Sequence, residues 1–230
     1  MKKYLVLFIV SCFFNFSVWS QNQYPIDSLS EIYQVLDTVE TKLNHYHIKA
    51  LWLDDTIEIR KLSEPVKYDL KNMRKAFKDS TFNPTKKDRR NSVDFTRQSA
   101  QNCLSYALER YFLYHNLKPD SIFDENTFLG RESGELIIDK SFTLTFEAST
   151  KRKRKAFKKP IKDGVLVIFR NQYDWIIHAF YYEKDIFYSK NGIRPIKEYH
   201  KMKNIFNRYF DTTLVQFYEL DDARLNEFLD

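Results

Sequence analysis

The sequence predicts an α+β domain, and three observations carry that expectation. Around Cys103 the apolar residues Leu104, Ala107, Leu108, Tyr111 and Phe112 recur at three- and four-residue steps, the mark of a helix with one buried face. From Gly164 onward the pattern changes to short β-branched and aromatic runs broken by polar turns, as antiparallel strands read. Ahead of both, Ser28-Leu29-Ser30-Glu31 fits a capping box, and Leu29, Ile32, Leu36, Val39 and Leu43 follow a helical stripe. A helix of about four turns is therefore expected to open the folded region.

Before that helix the chain carries Lys2-Lys3, an apolar run from Tyr4 to Phe14, and Asn15 to Ser20. A basic start, an apolar stretch short for a bilayer span, and small residues at the end read as a secretory signal, residues 1–20, cut near Ser20. A second reading takes Ile9-Val10-Ser11-Cys12 as a lipoprotein box, with Cys12 lipidated. Export to the periplasm or beyond follows from either. Cleavage after Ser20 leaves Cys103 as the single thiol of residues 21–230, so no internal disulfide can form.

Composition fits one folded domain. The exported portion is long enough to bury a core without staples, and 17% aromatic residues furnish large side chains for it. Of the formal charge of +6, two units belong to Lys2 and Lys3. Much of the remaining excess is Lys151-Arg152-Lys153-Arg154-Lys155 with Lys158, Lys159 and Lys162. In an exported chain this run faces an anionic envelope surface or simply solvent, and nucleic acid is not an expected partner. Nothing in the pattern sets an oligomeric state.

Residues 21–95 read as a helical extension. After the first helix, His45-Tyr46-His47 sets two imidazoles at a spacing that suits a strand edge, but no nearby carboxylate or thiol pattern completes a metal site. Neither a metal nor a cofactor is expected. Pro65 to Phe77, with Val66, Leu70, Met73 and Phe77 on one face, reads as a second helix, and Lys86 to Ser92 as a loop.

Residues 96–220 read as the core of the domain. The cysteine helix ends at His115-Asn116. Phe123 to Glu135 reads as irregular surface with turns at Gly130 and Gly134, and Leu136 to Phe146 as a strand. Val165 to Phe169 is continuously apolar, as expected of a central strand buried on both faces. Ile176 to Tyr182 follows, then a turn at Glu183-Lys184-Asp185, then Ile186 to Lys190, which together form an antiparallel meander with His178 near the start of its second strand. Thr212 to Leu220 offers one more alternating strand.

Two readings of Cys103 stand side by side. A buried cysteine behaves as a small hydrophobe. A cysteine in the first turn of a helix also meets unpaired backbone N–H groups and the positive end of the dipole, which lowers a thiol pKa and suits a nucleophile.

The order of these segments resembles the papain-like cysteine peptidase superfamily, most closely the NlpC-like bacterial cell-wall hydrolases. The resemblance runs from Asn102 to Gly192: a cysteine opening a helix, the strand Gly164-Val165-Leu166-Val167-Ile168-Phe169, then a histidine-led strand and a hairpin. It implies a papain-like fold in which the cysteine helix packs on a small antiparallel sheet, with N-terminal helices added. It implies Cys103 as nucleophile, His178 as base, and Tyr182 as the hairpin tyrosine beside the substrate. The group orienting the imidazole falls at or near Ser189, with Asn191 the better-suited side chain if it is not simply part of an Asn-Gly turn. The backbone N–H of Cys103, and the side-chain amide of Gln98 or Gln101, are the candidate oxyanion donors. The implied activity is cleavage of an amide bond, with peptidoglycan stem peptide or another peptide as substrate. The alternative is an exported, non-catalytic binding module on the same scaffold, holding an envelope ligand. The chain departs from the family at Asn102-Cys103-Leu104-Ser105, where Asp-Cys-Ser-Gly is usual, and at Asp163-Gly164, where the order is reversed.

Overall fold

The chain builds two antiparallel sheets, one of four strands and one of six, with helices packed on them. The computed structural model describes residues 28–40, 45–62, 101–119, 122–150, 161–190 and 195–229. The expected signal and Cys12, the Pro65 to Phe77 helix, the Lys86 to Ser92 loop, Gln98, Asn191 and the basic run up to Lys159 lie outside the described residues. Lys162, at the end of that run, pairs with Glu219 at 2.5 Å.

The opening helix is not formed. The capping box at Ser28 and Glu31 is present, but it caps a single 3-10 turn, Leu29–Glu31. The chain then extends into β1 (Tyr33–Glu40), which pairs with β2 (His45–Trp52), and β2 pairs with β3 (Asp55–Leu62). The helical stripe fails because it has no partner: Val35, Leu36 and Val39 stay 48%, 48% and 55% exposed on β1. Backbone pairing with β2 satisfies the strand instead, and helices of this length depend on burying such a face. His45 and His47 lie on an interior strand rather than an edge, since β2 has a neighbour on each side.

Next comes α1 (Cys103–Tyr114), the expected cysteine helix, ending at its C-cap His115. The segment from Phe123 is not irregular surface. Phe123 is fully buried, its ring stacked on Phe112 and tilted against Trp52, and it leads into β4 (Thr127–Leu129), which completes the first sheet against β3. Helix α2 (Arg131–Ser141) then occupies much of the stretch read as a strand, which starts only at β5 (Phe142–Ser149). Gly134 is a helical residue, not a turn. A Cβ there would sit 2.8 Å from Leu104 Cδ1, so the missing side chain lets α2 close on α1.

The second sheet is read as expected. β6 (Val165–Arg170) is buried along its whole length between β10 (Leu214–Leu220) and β7 (Ile176–Glu183). β8 (Ile186–Ser189) follows β7 through a two-residue turn in which Lys184 and Asp185 both take positive φ, 49° and 62°. β9 (Lys197–Tyr199) closes that edge, giving the order β5-β10-β6-β7-β8-β9.

The two faces of this sheet carry separate cores. Leu166, Ile168, Ala179 and Tyr181 meet α1 through Leu108, Tyr111 and Phe112, all fully buried. Each of those helix side chains is worth about 1.5–3 kcal/mol of apolar burial. Val167, Phe169, Phe180 and Val215 point the other way, and α3 (Met202–Arg208) seats Ile205 and Phe206 against them. A last helix, α4 (Asp222–Leu229), follows β10 and buries Leu225. Among the described residues no helix is long and apolar enough to cross a membrane. β7 therefore lies between two hydrophobic layers, and the candidate chemistry sits at its start.

Candidate active site

Cys103 is the first residue of α1, and its neighbours fix it there. Asn102 caps the helix by accepting from Ser105 N at 3.0 Å, while Asn102 N donates to Ser105 Oγ at 3.1 Å. The same two side chains anchor the cap to β4: Asn102 Nδ2 donates to Leu129 O at 2.6 Å, and Ser105 Oγ to Thr127 O at 2.7 Å. Asn102 and Ser105, two of the three positions that differ from Asp-Cys-Ser-Gly, are thus the two halves of a capping box.

The helix start abuts β7. The half-buried Cys103 lies near the backbone N–H of Ala179, the residue after His178, and that N–H favours the thiolate. The helix-terminal N–H groups of Leu104 and Cys103 itself also favour the thiolate. Burial outweighs all three and pushes the thiol up to about 11, so the expected lowering is reversed. Stripping water from a thiolate costs more than the helix terminus returns.

His178 pairs in regular register with Phe169 and alternates with Phe180 and Tyr182, which puts its imidazole on the second face of the sheet. A β-bulge at Ile177 lies directly on its N-terminal side, where Arg170 pairs with Ile176. The ring is edge-on to Phe180 at 4.6 Å between ring centroids and stacked on Tyr209 at 4.0 Å. It is 2% exposed, and burial together with the neighbouring Arg208 guanidinium pushes it down to about 3. Thiol and imidazole are both neutral at rest. They approach β7 from different faces, and among the described residues no hydrogen bond joins the two side chains.

Ser189, at the end of β8, has its Oγ 2.5 Å from His178 Nε2, where an orienting group is expected. The phenol of Tyr209 lies 2.8 Å from the same nitrogen. Tyr209 had no role in the sequence reading: it follows a short polar helix and belongs to no motif, and only the packing of Phe206 on Phe169 brings it over the imidazole. Its phenol is raised by burial first, then by its neighbours Tyr199 and Cys103. A shallow recess lined by Ser189, Lys190, Arg208 and Tyr209 opens beside the ring.

Two assigned residues do other work. Gln101 is buried, and Nε2 donates to Glu109 at 2.5 Å while Oε1 accepts from Lys190 Nζ at 3.1 Å. These bonds tie the approach to α1 to the end of β8, one residue past Ser189, and use one of the two amide N–H groups. Burial raises the Glu109 carboxyl and lowers the Lys190 ammonium. Tyr182 lies in the hairpin. It is 4% exposed, packs on Phe187 and donates to Asp185 at 2.8 Å, closing the hairpin. Of the proposed oxyanion donors, the backbone N–H of Cys103 retains its place at the helix start.

His115 accounts for itself, with Nε2 2.8 Å from Gly164 O at the far end of the helix. Among the described residues no three His, Cys, Asp or Glu side chains are placed to hold a metal ion. A separate cleft of about 240 Å³, lined by residues including His47, Glu58, Arg60 and Arg131, includes neither Cys103 nor His178 and carries both signs of charge.

Fold and site together describe an α+β protein with a thiol at a helix start, set against the strand that carries a clamped histidine. No family model, curated protein or solved structure matches the chain.

Proposed function

We propose that this chain is an exported thiol hydrolase of papain-like architecture that cleaves an amide bond through Cys103 and His178. The observation that carries the reading is the place of Cys103 in the first turn of α1, the helix packed on β7, which carries His178. The leader-like first residues support export, and the order of the motifs supports a peptidoglycan stem peptide as substrate.

Because both groups rest neutral, the chemistry begins as general-base catalysis rather than from a preformed ion pair. His178 takes the thiol proton as sulfur bonds to the carbonyl carbon. The Cys103 N–H receives the developing oxyanion. Collapse breaks the C–N bond, the imidazolium protonates the leaving amine, and a thioester remains. Water, deprotonated by the same imidazole, then adds to the thioester and releases the acid and the thiol.

The raised thiol favours one competing reading, a binding module of the same shape in which Cys103 is a packed residue. An activated ester such as p-nitrophenyl acetate separates them. A hydrolase gives a burst of one equivalent with the acyl group on Cys103, no burst in Cys103→Ser, and a burst slowed on the order of 10²-fold in His178→Ala. If native protein gives no acyl adduct, and Cys103 reacts only after denaturation, the hydrolase reading is lost and the binding module stands.

A further inference from the structure

Two large aromatic side chains stand in solvent on the loop that leads into β7. Tyr173 is 63% exposed and Trp175 52%, and their ring centroids lie 5.6 Å apart with the planes tilted by 43°. Neither ring joins the two hydrophobic cores. The loop that carries them is nevertheless firmly built. Asn171 Oδ1 accepts from Tyr173 N at 3.0 Å and from Trp175 N at 3.1 Å, Asn171 N donates to Trp175 O at 3.1 Å, and the buried Arg170 guanidinium holds Asp174 O at 2.8 Å. Aromatic surface left in water on a pre-shaped loop suits recognition, because the entropy of ordering it has already been lost in folding.

The pair adjoins a cleft. Arg131, the first residue of α2, sets its guanidinium 4.5 Å from the Trp175 ring centre and also lines the cleft of about 240 Å³ described above. Within that cleft Arg60 lies over Phe128 in the same manner, at 5.4 Å. Glu58 and Glu132 bring the opposite charge to the same lining. Cationic donors and anionic acceptors side by side match groups that both give and take hydrogen bonds, as hydroxyls do, whereas a ligand of one sign would be repelled by half of the lining.

We propose that Tyr173, Trp175 and the adjoining cleft form a binding surface for an uncharged, linear glycan. A sugar ring shows C–H groups on its face, which settle on the negative face of an aromatic ring, while its hydroxyls radiate from the edge. The 5.6 Å between the two aromatic centres is close to the spacing of successive rings in such a chain, so Tyr173 and Trp175 each take one unit. The cleft is smaller than the roughly 300–1,000 Å³ of pockets for drug-sized molecules, which limits it to one further unit. Arg131 joins the two parts. This surface uses neither Cys103 nor His178, and it stands whether or not the thiol reacts.

The test is isothermal titration calorimetry of the intact protein with two uncharged glycans, cellotetraose and chitotetraose. At least one is expected to bind, and Trp175→Ala to weaken that binding by about tenfold or more, with a several-fold loss in Tyr173→Ala. Both variants are expected to unfold in urea near the wild-type midpoint, since neither side chain is in a core. Cys103→Ser is expected to bind as wild type does. No binding of either glycan at millimolar concentration overturns the proposal. Binding that Trp175→Ala leaves intact overturns it too, as does a Trp175-dependent site that takes tetraglutamate and neither glycan. Glycan binding without any acyl adduct on Cys103 removes the hydrolase reading and keeps this surface, and acylation without glycan binding does the reverse.

Discussion

His178 Nε2 and Ser189 Oγ lie 2.5 Å apart on neighbouring strands, eleven residues from one another in the chain. The pair exists because β7 and β8 are joined by a tight turn, and because His178 and Ser189 lie at even steps from the paired Tyr182 and Phe187, which puts both on one face of the sheet. Its immediate consequence is a neutral, clamped imidazole whose charging must break a buried arrangement.

That consequence is measurable as acid sensitivity. The folded pKa of His178 is depressed to about 3 from an ordinary 6.5, so the unfolded chain binds the proton more readily between those values. Stability from this group is complete above pH 6.5 and falls as the pH is lowered, by about 1.4 kcal/mol per unit through that window. His115, also lowered by burial, adds in the same direction. Urea unfolding at pH 7 and pH 4.5 is expected to show this loss in wild type and a distinctly smaller one in His178→Gln. Equal losses in the two proteins would refute it.

The thiol should titrate late. Burial sets Cys103 at about 11, so alkylation of the native protein by iodoacetamide is expected to climb through pH 9 without levelling off. A plateau near pH 8 would show that the resting sulfur is far less desolvated than its surroundings imply.

Gly164 is a stability hinge. Its φ of +74° is left-handed, and a Cβ there would lie 2.2 Å from the Tyr114 ring. Gly164→Ala is expected to cost about 3 kcal/mol from strain and displacement of the ring, with the midpoint of urea unfolding as the measure. A change below about 0.5 kcal/mol would mean Tyr114 moves freely aside.

Arg170 holds the loop that precedes the histidine. Its guanidinium makes a two-pronged contact with Glu135, at 2.8 and 2.7 Å, and donates to Asp174 O at 2.8 Å. Only 6% of its side chain is exposed, so Glu135→Ala strands a buried cation and is expected to cost about 3 kcal/mol. Arg170→Met in the same background should recover part of that loss. Failure of the second substitution to recover any stability would show the charge itself was not the liability.

The sequence was most legible where a signal is local or continuous. The periodicity behind Cys103, the unbroken Val165 to Phe169 run and the polar break at Glu183 to Asp185 each name an element that is present. The misreadings come from elements whose fate is decided by partners. Leu36 and Val39 sit at helical spacing but find no surface to cover, so pairing with β2 takes the segment into a strand. Gly134 looks like a turn until Leu104 is seen to need the space. At the candidate site, the His178–Ser189 pair could be read, beside the preferred Asn191, because neighbouring strands joined by a short turn fix the two relative to one another. Tyr209 could not, since its place depends on how α3 docks on a distant face. The reversal at the thiol has the same origin: a helix start is visible in the sequence, and the depth to which it is buried is not.

The sharing of β7 between two cores has a temporal meaning. Sulfur arrives on a helix from one side, while the residue that closes over the imidazole comes from the other side, thirty-one positions after the histidine. A chain in which only the first layer has folded holds Cys103 at the start of its helix but leaves the imidazole of His178 uncovered, so both layers must consolidate before the histidine is clamped.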